Sequence, residues 1–351
     1  MDEPLPGLRV GLTYNLKKGA PSALPDDEAE FDDLDTIQAI QDALASLGCV
    51  VELFEAEPDL PIRLAQRRPD IVFNIAEGSA GRGRESHVPA ILSFLQIPYT
   101  GSDETAMCLS LDKALAKVVA ASAGVLTPGF QVVAADFHLR RDATAKGLAS
   151  APSGSLSFPL IVKPNAEGSS KGLSAHSIVY DEPALRETLE DKTRVYAQDM
   201  LVEEYIPGRE FTVGLLGNGD TLRVFTPMEI RFTDPSQPIY SYEVKRNFKQ
   251  YVQYACPPDV GGALLAGIKN AAVSIYQAMG CRDFARVDFR LSPDGRLYFI
   301  ELNPLPGLAP GYSDFPILAE FCGVGYAELI QSVLRSALAR YNMPVGQSFH
   351  Q

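Results

Sequence analysis

Two carboxylates stand inside apolar runs late in the chain, Asp288 within Phe284–Arg290 and Glu301 within Leu297–Leu302. An unpaired carboxylate in an apolar strand is costly, which favours a fold that supplies these groups with cations. Side chains two apart in a strand share a face. Glu301 therefore points with Asn303, and Asp288 with Arg286. Between the two runs, Ser292-Pro293-Asp294-Gly295 has the chemistry of a hairpin turn. Asp288, Glu301 and Asn303 then converge from neighbouring strands, with Arg286 beside them. Three oxygen donors next to a cation suit magnesium, a hard ion that bridges substrate phosphates. The competing reading is a solvated acidic face with one buried ion pair.

The first hundred residues alternate between two periods. Leu8–Tyr14, Val50–Phe54 and Ile71–Ile75 are apolar runs of strand length. A helix through Ile37, Ile40, Leu44 and Leu47 follows the first, and Gly48 ends it. A segment with Leu60, Ile62 and Leu64 separates the second run from the third, and the acidic stretch Pro25–Asp33 reads as a loop. Strand, helix, strand, helix, strand predicts a parallel α/β lobe. Ligands bind outside the C-terminal ends of such strands, where the glycine-rich turn Gly78–Gly83 falls. Gly7-Leu8-Arg9-Val10-Gly11 lacks the dinucleotide fingerprint, which argues against a nicotinamide enzyme.

A second unit opens near Ser110 with the helical pattern Leu111–Ala121. After the low-complexity loop Ala143–Ser157, the strand Leu160–Lys163 runs into Pro164-Asn165-Ala166-Glu167-Gly168-Ser169-Ser170-Lys171-Gly172. Small residues allow close backbone approach, and amides and hydroxyls donate to phosphate oxygens. An ordinary polar turn has the same composition, and no Walker A motif is present. Leu201–Ile206 passes from an apolar strand into an acidic turn, followed by Gly208-Arg209-Glu210-Phe211. Such a strand can offer backbone groups to an adenine edge and a carboxylate to ribose hydroxyls. Phe232–Tyr254 is polar and aromatic without clean periodicity, which suits a long active-site loop. The expected organisation of this α/β chain is an N-terminal substrate domain at 1–109, a central lobe at 110–200, and a C-terminal lobe at 201–341. The last carries a lid at 232–254 and the metal site, and 342–351 forms a flexible tail.

The 351 residues suffice for two or three lobes with continuous cores. Their formal charge of -13 argues against a nucleic-acid partner, which demands a concentrated basic surface. No apolar stretch approaches the roughly 20 residues that span a bilayer, and no export signal is visible at the start. Five cysteines without a C-x-x-C pair read as free thiols of a reducing, cytoplasmic setting. His87, His138, His176 and His350 show no ligand spacing.

From about Pro98 to Val324 the chain resembles the D-alanine–D-alanine ligase branch of the ATP-grasp superfamily. Ile97–Ser102 and Leu111-Asp112-Lys113 look like the start of that family's central lobe. Leu160–Pro164 with Glu167–Ser170 resembles its phosphate loop, and Glu203-Glu204 through Val213 its adenine hinge and ribose segment. The resemblance implies a three-lobed ATP-grasp fold and an ATP-dependent ligase, with ATP held by Lys113, Lys163, Gly168, Ser169, Ser170, Glu203, Glu204, Ile206, Glu210 and Lys245. It implies magnesium, two ions with manganese able to substitute, on Asp288, Glu301 and Asn303. Arg286, the lid lysine Lys245, Ser169 and Arg246 become the catalytic candidates. In the implied reaction a carboxylate receives the γ-phosphoryl group, and an amine then attacks the acyl carbon; a carboxylate kinase is the variant without the second step. A homodimer is a further implication.

The same comparison marks departures. The family's first loop carries a glutamate for the first substrate's ammonium, whereas Leu12-Thr13-Tyr14-Asn15-Leu16 has no acid. Arg246 stands where the family has a tyrosine, and Glu77–Glu85 replaces its His-Gly-x-x-Gly-Glu-Asp. The expected first-substrate pocket is therefore Thr13, Tyr14, Asn15, Glu77, Arg82 or Arg84, and Arg246. Arginine forks bind carboxylates in two-pronged fashion, so this pocket favours an extra-acidic, larger or N-modified donor over two D-alanines. In the alternative, Glu28, Glu30 or Glu77 folds back to replace the missing glutamate, leaving an ordinary D-amino-acid ligase. Gly307 and Ser313 are the candidates for an amino acid-like acceptor's carboxylate.

Overall fold

The computed structural model describes residues 4–19, 26–137, 156–234 and 239–343. Parts of the expected loop (143–155), lid (235–238) and tail (344–351), with His138 and His350, lie outside these residues. Val10 through Thr13 are all buried, as suits a strand covered on both faces. That strand, β1 (Arg9–Tyr14), pairs in parallel with β2 (Val50–Glu55) and β3 (Ile71–Asn74), in the order β2-β1-β3.

The helix Leu34–Ala45 starts at Asp33, whose carboxylate accepts from the Thr36 amide at 2.9 Å. It buries Ile37, Ile40 and Leu44. Those residues share one core with Ile330, Val333, Leu334 and Ala337 of the helix Tyr326–Arg340. The end of the chain thus closes over its beginning.

Four strands form the central sheet, β4 (Phe130–Val133), β5 (Leu160–Pro164), β6 (Ile178–Val179) and β7 (Met200–Glu204), in the order β4-β7-β5-β6. The boundary expected at 200/201 cuts through β7. Because β7 is bonded to β4 and β5 on either side, the central lobe continues through Glu204. The C-terminal sheet holds β8 (Arg209–Leu216), β9 (Arg223–Val224), β10 (Met228–Phe232), β11 (Val252–Ala255), β12 (Phe284–Leu291) and β13 (Leu297–Asn303). Its order is β11-β10-β8-β12-β13, with β9 beside β8. The hairpin β12–β13 sets Arg286 opposite Asn303 and Asp288 opposite Glu301, so all four side chains share a face.

Two elements differ from the sequence reading. The pattern Leu111–Ala121 is two helices, Glu104–Leu111 and Lys113–Ser122. Asp112 between them is extended, and its carboxylate caps the second helix through the Leu115 amide. The lid is partly regular: Tyr242–Arg246 and Phe248–Tyr251 are helical, and β11 returns the chain to the sheet edge. All five cysteines are free. Among the described residues no single helix is long and apolar enough to cross a membrane.

Asp283 joins three parts of the molecule. Fully buried, it accepts from the Gly101 amide at 2.8 Å, Asn218 Nδ2 at 2.7 Å and Arg340 Nη2 at 2.7 Å. Arg340→Ala leaves this carboxylate buried without its cation, at an expected cost of about 3 kcal/mol. Chemical denaturation of the variant checks the size of the loss.

Candidate active site

Between the central and C-terminal sheets lies a cavity of about 80 Å³. Ile161, Leu173 and Ile300 give it apolar walls, and Glu203, Glu204, Tyr205 and Ile206 form one edge. Glu203 is buried and ion-paired with Lys163 and, at 2.7 Å, with Lys117. Burial alone would raise the Glu203 carboxyl, but the two lysines outweigh it and hold it below its usual range. Burial pushes Lys117 down to about 8. Its ammonium also donates to the Ile300 carbonyl at 3.2 Å.

Lys117 was missed from sequence, although it follows Lys113 by four residues on one helix face. Arg290 was also missed, two residues beyond Asp288 on β12. It pairs with Glu210 at 2.9 Å and donates to the Ile206 carbonyl at 2.9 Å, so both of these hinge residues are held by one guanidinium.

Ser169 and Ser170 line the same cavity with backbone φ of +47° and +59°. Left-handed conformations of non-glycine residues cost about 1 kcal/mol or more and concentrate at functional sites. The turn's two ends are already bonded. The Gly168 amide donates to Glu30 at 2.6 Å, and the Gly172 amide donates to Asp26 Oδ2 at 2.8 Å. A side chain at Gly168 would meet Glu30 Oε1 at 2.8 Å, which explains the glycine. The expected phosphate donor at Gly168 is therefore spent on the protein itself, because the acidic segment closes over the turn.

Asp288, Glu301 and Asn303 meet as the hairpin register requires. Asp288 accepts from Thr212 Oγ1 at 2.6 Å, Asn303 Nδ2 at 3.2 Å and Arg286 Nη2 at 2.8 Å. Glu301 faces Lys113 at 3.3 Å. Burial alone would raise the Glu301 carboxyl, but Lys113, Lys163 and Arg286 push it down to about 2. This set of hard oxygen donors fits magnesium. Arg286 is kept firmly charged because Asp288 and Asp314 outweigh its burial. Lys245 extends from the lid into the same space, its ammonium lowered by burial and by Arg286.

A larger cavity, about 360 Å³, opens beside Arg286 and Lys245. Gly307 and Ser313 line it as expected, and so does Glu77. The rest of the expected pocket is elsewhere. Thr13 donates to Asn74 Oδ1 at 2.8 Å, Asn15 accepts from the Gly78 amide at 2.9 Å, and Tyr14 packs on the N-terminal core. All three are engaged within the N-terminal lobe. Arg84 is buried in a two-pronged pair with Glu30 at 2.6–3.0 Å and also donates to the Ala166 carbonyl. Arg82 is exposed and pairs with Asp112 at 2.6 Å, and Arg246 points from the lid to solvent.

Acids take the arginines' place. The Asp32 amide donates to the Asn15 carbonyl and the Lys17 amide to the Asp32 carbonyl, and this bridge turns Glu30 and Asp32 into the cavity. The carboxylates of Asp32 and Glu77 make no hydrogen bond or ion pair among the described residues. Burial pushes Asp32 up to about 7, and burial with Glu30 and Glu85 raises Glu77 well above its ordinary value. Glu85, close to Glu30 and Glu77, is pushed up to about 8 by burial and by Glu30.

Three sheets, with a cavity lined by the hinge strand and the glycine- and serine-rich turn between the second and third, fit an ATP-grasp fold. A D-alanine–D-alanine ligase of Bacillus anthracis, solved with ATP, shares this fold at a TM-score of 0.71, covering 96% of this chain and 99% of its own at 22% identity. The family model described as D-ala D-ala ligase C-terminus matches residues 119–335. The D-alanine–D-alanine ligase of Bordetella petrii is 32% identical over 311 residues, 89% of each chain. A Sinorhizobium fredii protein named y4sG is 34% identical over 275 residues, 78% of this chain and 76% of its own. The chain belongs to the D-alanine–D-alanine ligase-like branch of the ATP-grasp superfamily and is a carboxylate–amine ligase that forms an amide bond.

The buried pair of Arg84 with Glu30 is the contact that shapes both the turn and the cavity. Arg84→Met alone strands Glu30, with an expected loss of about 3 kcal/mol. Adding Glu30→Gln should restore part of that stability, and a double-mutant cycle by chemical denaturation measures the coupling.

Proposed function

We propose that this ligase uses magnesium ATP to join two free amino acids of D configuration. The observation that carries this reading is the sign of the large cavity: Glu30, Asp32 and Glu77 line it, and Arg82, Arg84 and Arg246 do not. An ammonium group suits such a wall, whereas an extra-acidic donor does not. The relatives named D-alanine–D-alanine ligases support the same choice. The preference for an acidic or N-modified donor, expected from those arginines, loses its basis.

In this reading the adenine lies between Ile161, Leu173 and Ile300 against the hinge Glu203–Ile206, with Glu210 at the ribose. Lys163, Lys245 and the Ser169–Ser170 turn face the phosphates, with Lys113 on the side of Glu301 and Lys117 buried behind them against Glu203. Asp288, Glu301 and Asn303 hold magnesium, two ions as the family resemblance implies. When bound, the metal neutralises charge on the phosphate oxygens. The first amino acid's carboxylate oxygen takes the γ-phosphoryl group and ADP leaves. The second amino acid's ammonium loses a proton to become a neutral amine, which bonds to the acyl carbon, and phosphate departs as the nitrogen gives up a further proton to it. Arg286, at the junction of both cavities, stabilises the negative oxygen of the tetrahedral state. Gly307 and Ser313 receive the second carboxylate. Free thiols suit a cytoplasmic setting, and a homodimer is the assembly that sedimentation should show.

An ATP-dependent phosphate-release screen over amino acids of both hands, with mass spectrometry of the product, tests the function. D-alanine or another small D-amino acid should give a dipeptide. Glu77→Gln should raise the KM of the first amino acid about tenfold, the scale of a lost charged hydrogen bond, with the KM of ATP unchanged. Turnover only with acids that lack an amine would defeat the reading.

The cluster of Glu30, Glu77 and Glu85 adds a pH dependence. Burial and Glu30 push Glu85 up to about 8 in the free protein, and an ammonium bound at Glu30 and Glu77, which lie close to it, favours its ionised form. Affinity for the first amino acid should therefore rise from pH 6 to pH 8, with proton uptake by the buffer on binding. Calorimetry in buffers of different ionisation enthalpy measures that proton.

A further inference from the structure

Asp314 is 1% exposed, follows Ser313 directly and opens the helix Asp314–Phe321. An acid in the first turn of a helix is ordinary, but a solvated one would serve that purpose. This one is buried at the wall of the substrate cavity and is contacted from two directions. Its Oδ1 accepts from Tyr240 at 3.0 Å and from Tyr254 at 2.8 Å, and the two hydroxyls lie 3.0 Å apart. Its Oδ2 is buried, makes no hydrogen bond among the described residues, and faces Arg286 Nη1 at 3.7 Å.

The two tyrosines bracket the lid. Between them run Tyr242, Lys245 and Arg246, so one carboxylate oxygen fastens both ends of the segment that carries Lys245. Tyr240 is held from the other side as well, since Ser170 Oγ donates to its carbonyl at 2.8 Å. Phe248 of the lid packs on Tyr254 and meets Tyr312 edge-on, each with ring centroids 6.0 Å apart. On the opposite side, Arg286 spends Nε and Nη2 on Asp288. Asp314 therefore attracts Nη1 without taking its proton into a hydrogen bond, and Nη1 stays available to a ligand.

We propose that Asp314 is a positioning residue that couples closure of the lid to the acceptor end of the cleft, through Tyr240 and Tyr254 on one side and Arg286 on the other. The inference rests on the reading of the cleft given above. It predicts that lid order and use of the second amino acid fail together, while nucleotide binding, which keeps Lys163, the hinge and the metal ligands, weakens far less.

The lid offers trypsin Lys245, Arg246 and Lys249, so cleavage there reports closure. In the wild-type protein, a non-hydrolysable ATP analogue with magnesium should slow cleavage at these sites. Asp314→Leu should abolish that protection and lower kcat/KM for the second amino acid about a hundredfold, the scale of a misplaced positioning contact. Analogue affinity by calorimetry should fall only about tenfold, the scale of the one charged contact that Lys245 supplies. Asp314→Asn keeps an oxygen for the tyrosines but loses the charge facing Arg286, so it should regain protection and only part of kcat/KM. Wild-type protection and kinetics in Asp314→Leu would overturn the proposal. If that variant does not fold, Tyr240→Phe with Tyr254→Phe removes only two hydroxyls. Intact protection in that pair would overturn it equally. A wild-type protein that condenses no amino acids sinks the substrate reading, and the cleavage assay still tests the latch.

Discussion

Charge buried without compensation is the constraint on which this cleft is built. The helix Lys113–Ser122 sends two lysines, one turn apart, into the gap between two sheets. Lys113 meets Glu301 on β13, and Lys117 meets Glu203 on β7 and the Ile300 carbonyl on β13. The helix thus binds strands of both lobes at the place where Lys163 and Arg286 also arrive. Exposed ion pairs contribute about 1 kcal/mol or less and would not fix the lobes. Buried pairs act differently, because losing one member leaves the other uncompensated. The contacts that set the width of the cleft are therefore the same contacts that charge it.

A second set of acids shapes the phosphate turn from outside. Asp26 and Glu30 lie four residues apart and accept from the two ends of the turn Gly168–Gly172. The turn is held from the N-terminal lobe, with its left-handed residues Ser169 and Ser170 between the two anchors. Glu30 also carries Arg84 and lines the substrate cavity. One carboxylate thereby joins the cavity proposed for the first substrate to the turn proposed for phosphate. A change at Glu30 has to be felt at both.

What could be read from the chain follows from the range of each interaction. Asp288, Glu301, Asn303 and Arg286 were legible because strand alternation and a four-residue turn place them, and both act over a few residues. The helix face with Ile37, Ile40 and Leu44 was legible for the same reason. Lys117 and Arg290 obey equally local spacing, at four and two residues from chosen neighbours, and could have been found with it. The acidic segment was different. Its path is set by the bridge between Asp32 and the residues around Leu16, and by amides 138 and 146 residues away. No local period encodes such contacts.

That difference explains why the sign of the substrate cavity was misjudged. A missing acid in Leu12–Leu16 looked like a lost function, and nearby arginines looked like its replacement. In space, the acid comes from beyond that loop: Glu30 and Asp32 reach the cavity from a segment that returns beside Leu16 and Lys17. The arginines are not free to act as forks. Arg84 has a buried partner in Glu30, and Arg82 has one in Asp112. A buried guanidinium seeks a carboxylate wherever the fold supplies one, and a chain with 44 acidic and 31 basic residues supplies many. Asp32 and Glu77, unpaired among the described residues, are thus the better guide to what the cavity binds. An acid without a partner among the described residues, in a cavity beside Arg286 and Lys245, is the feature on which the proposal of a cationic substrate group rests.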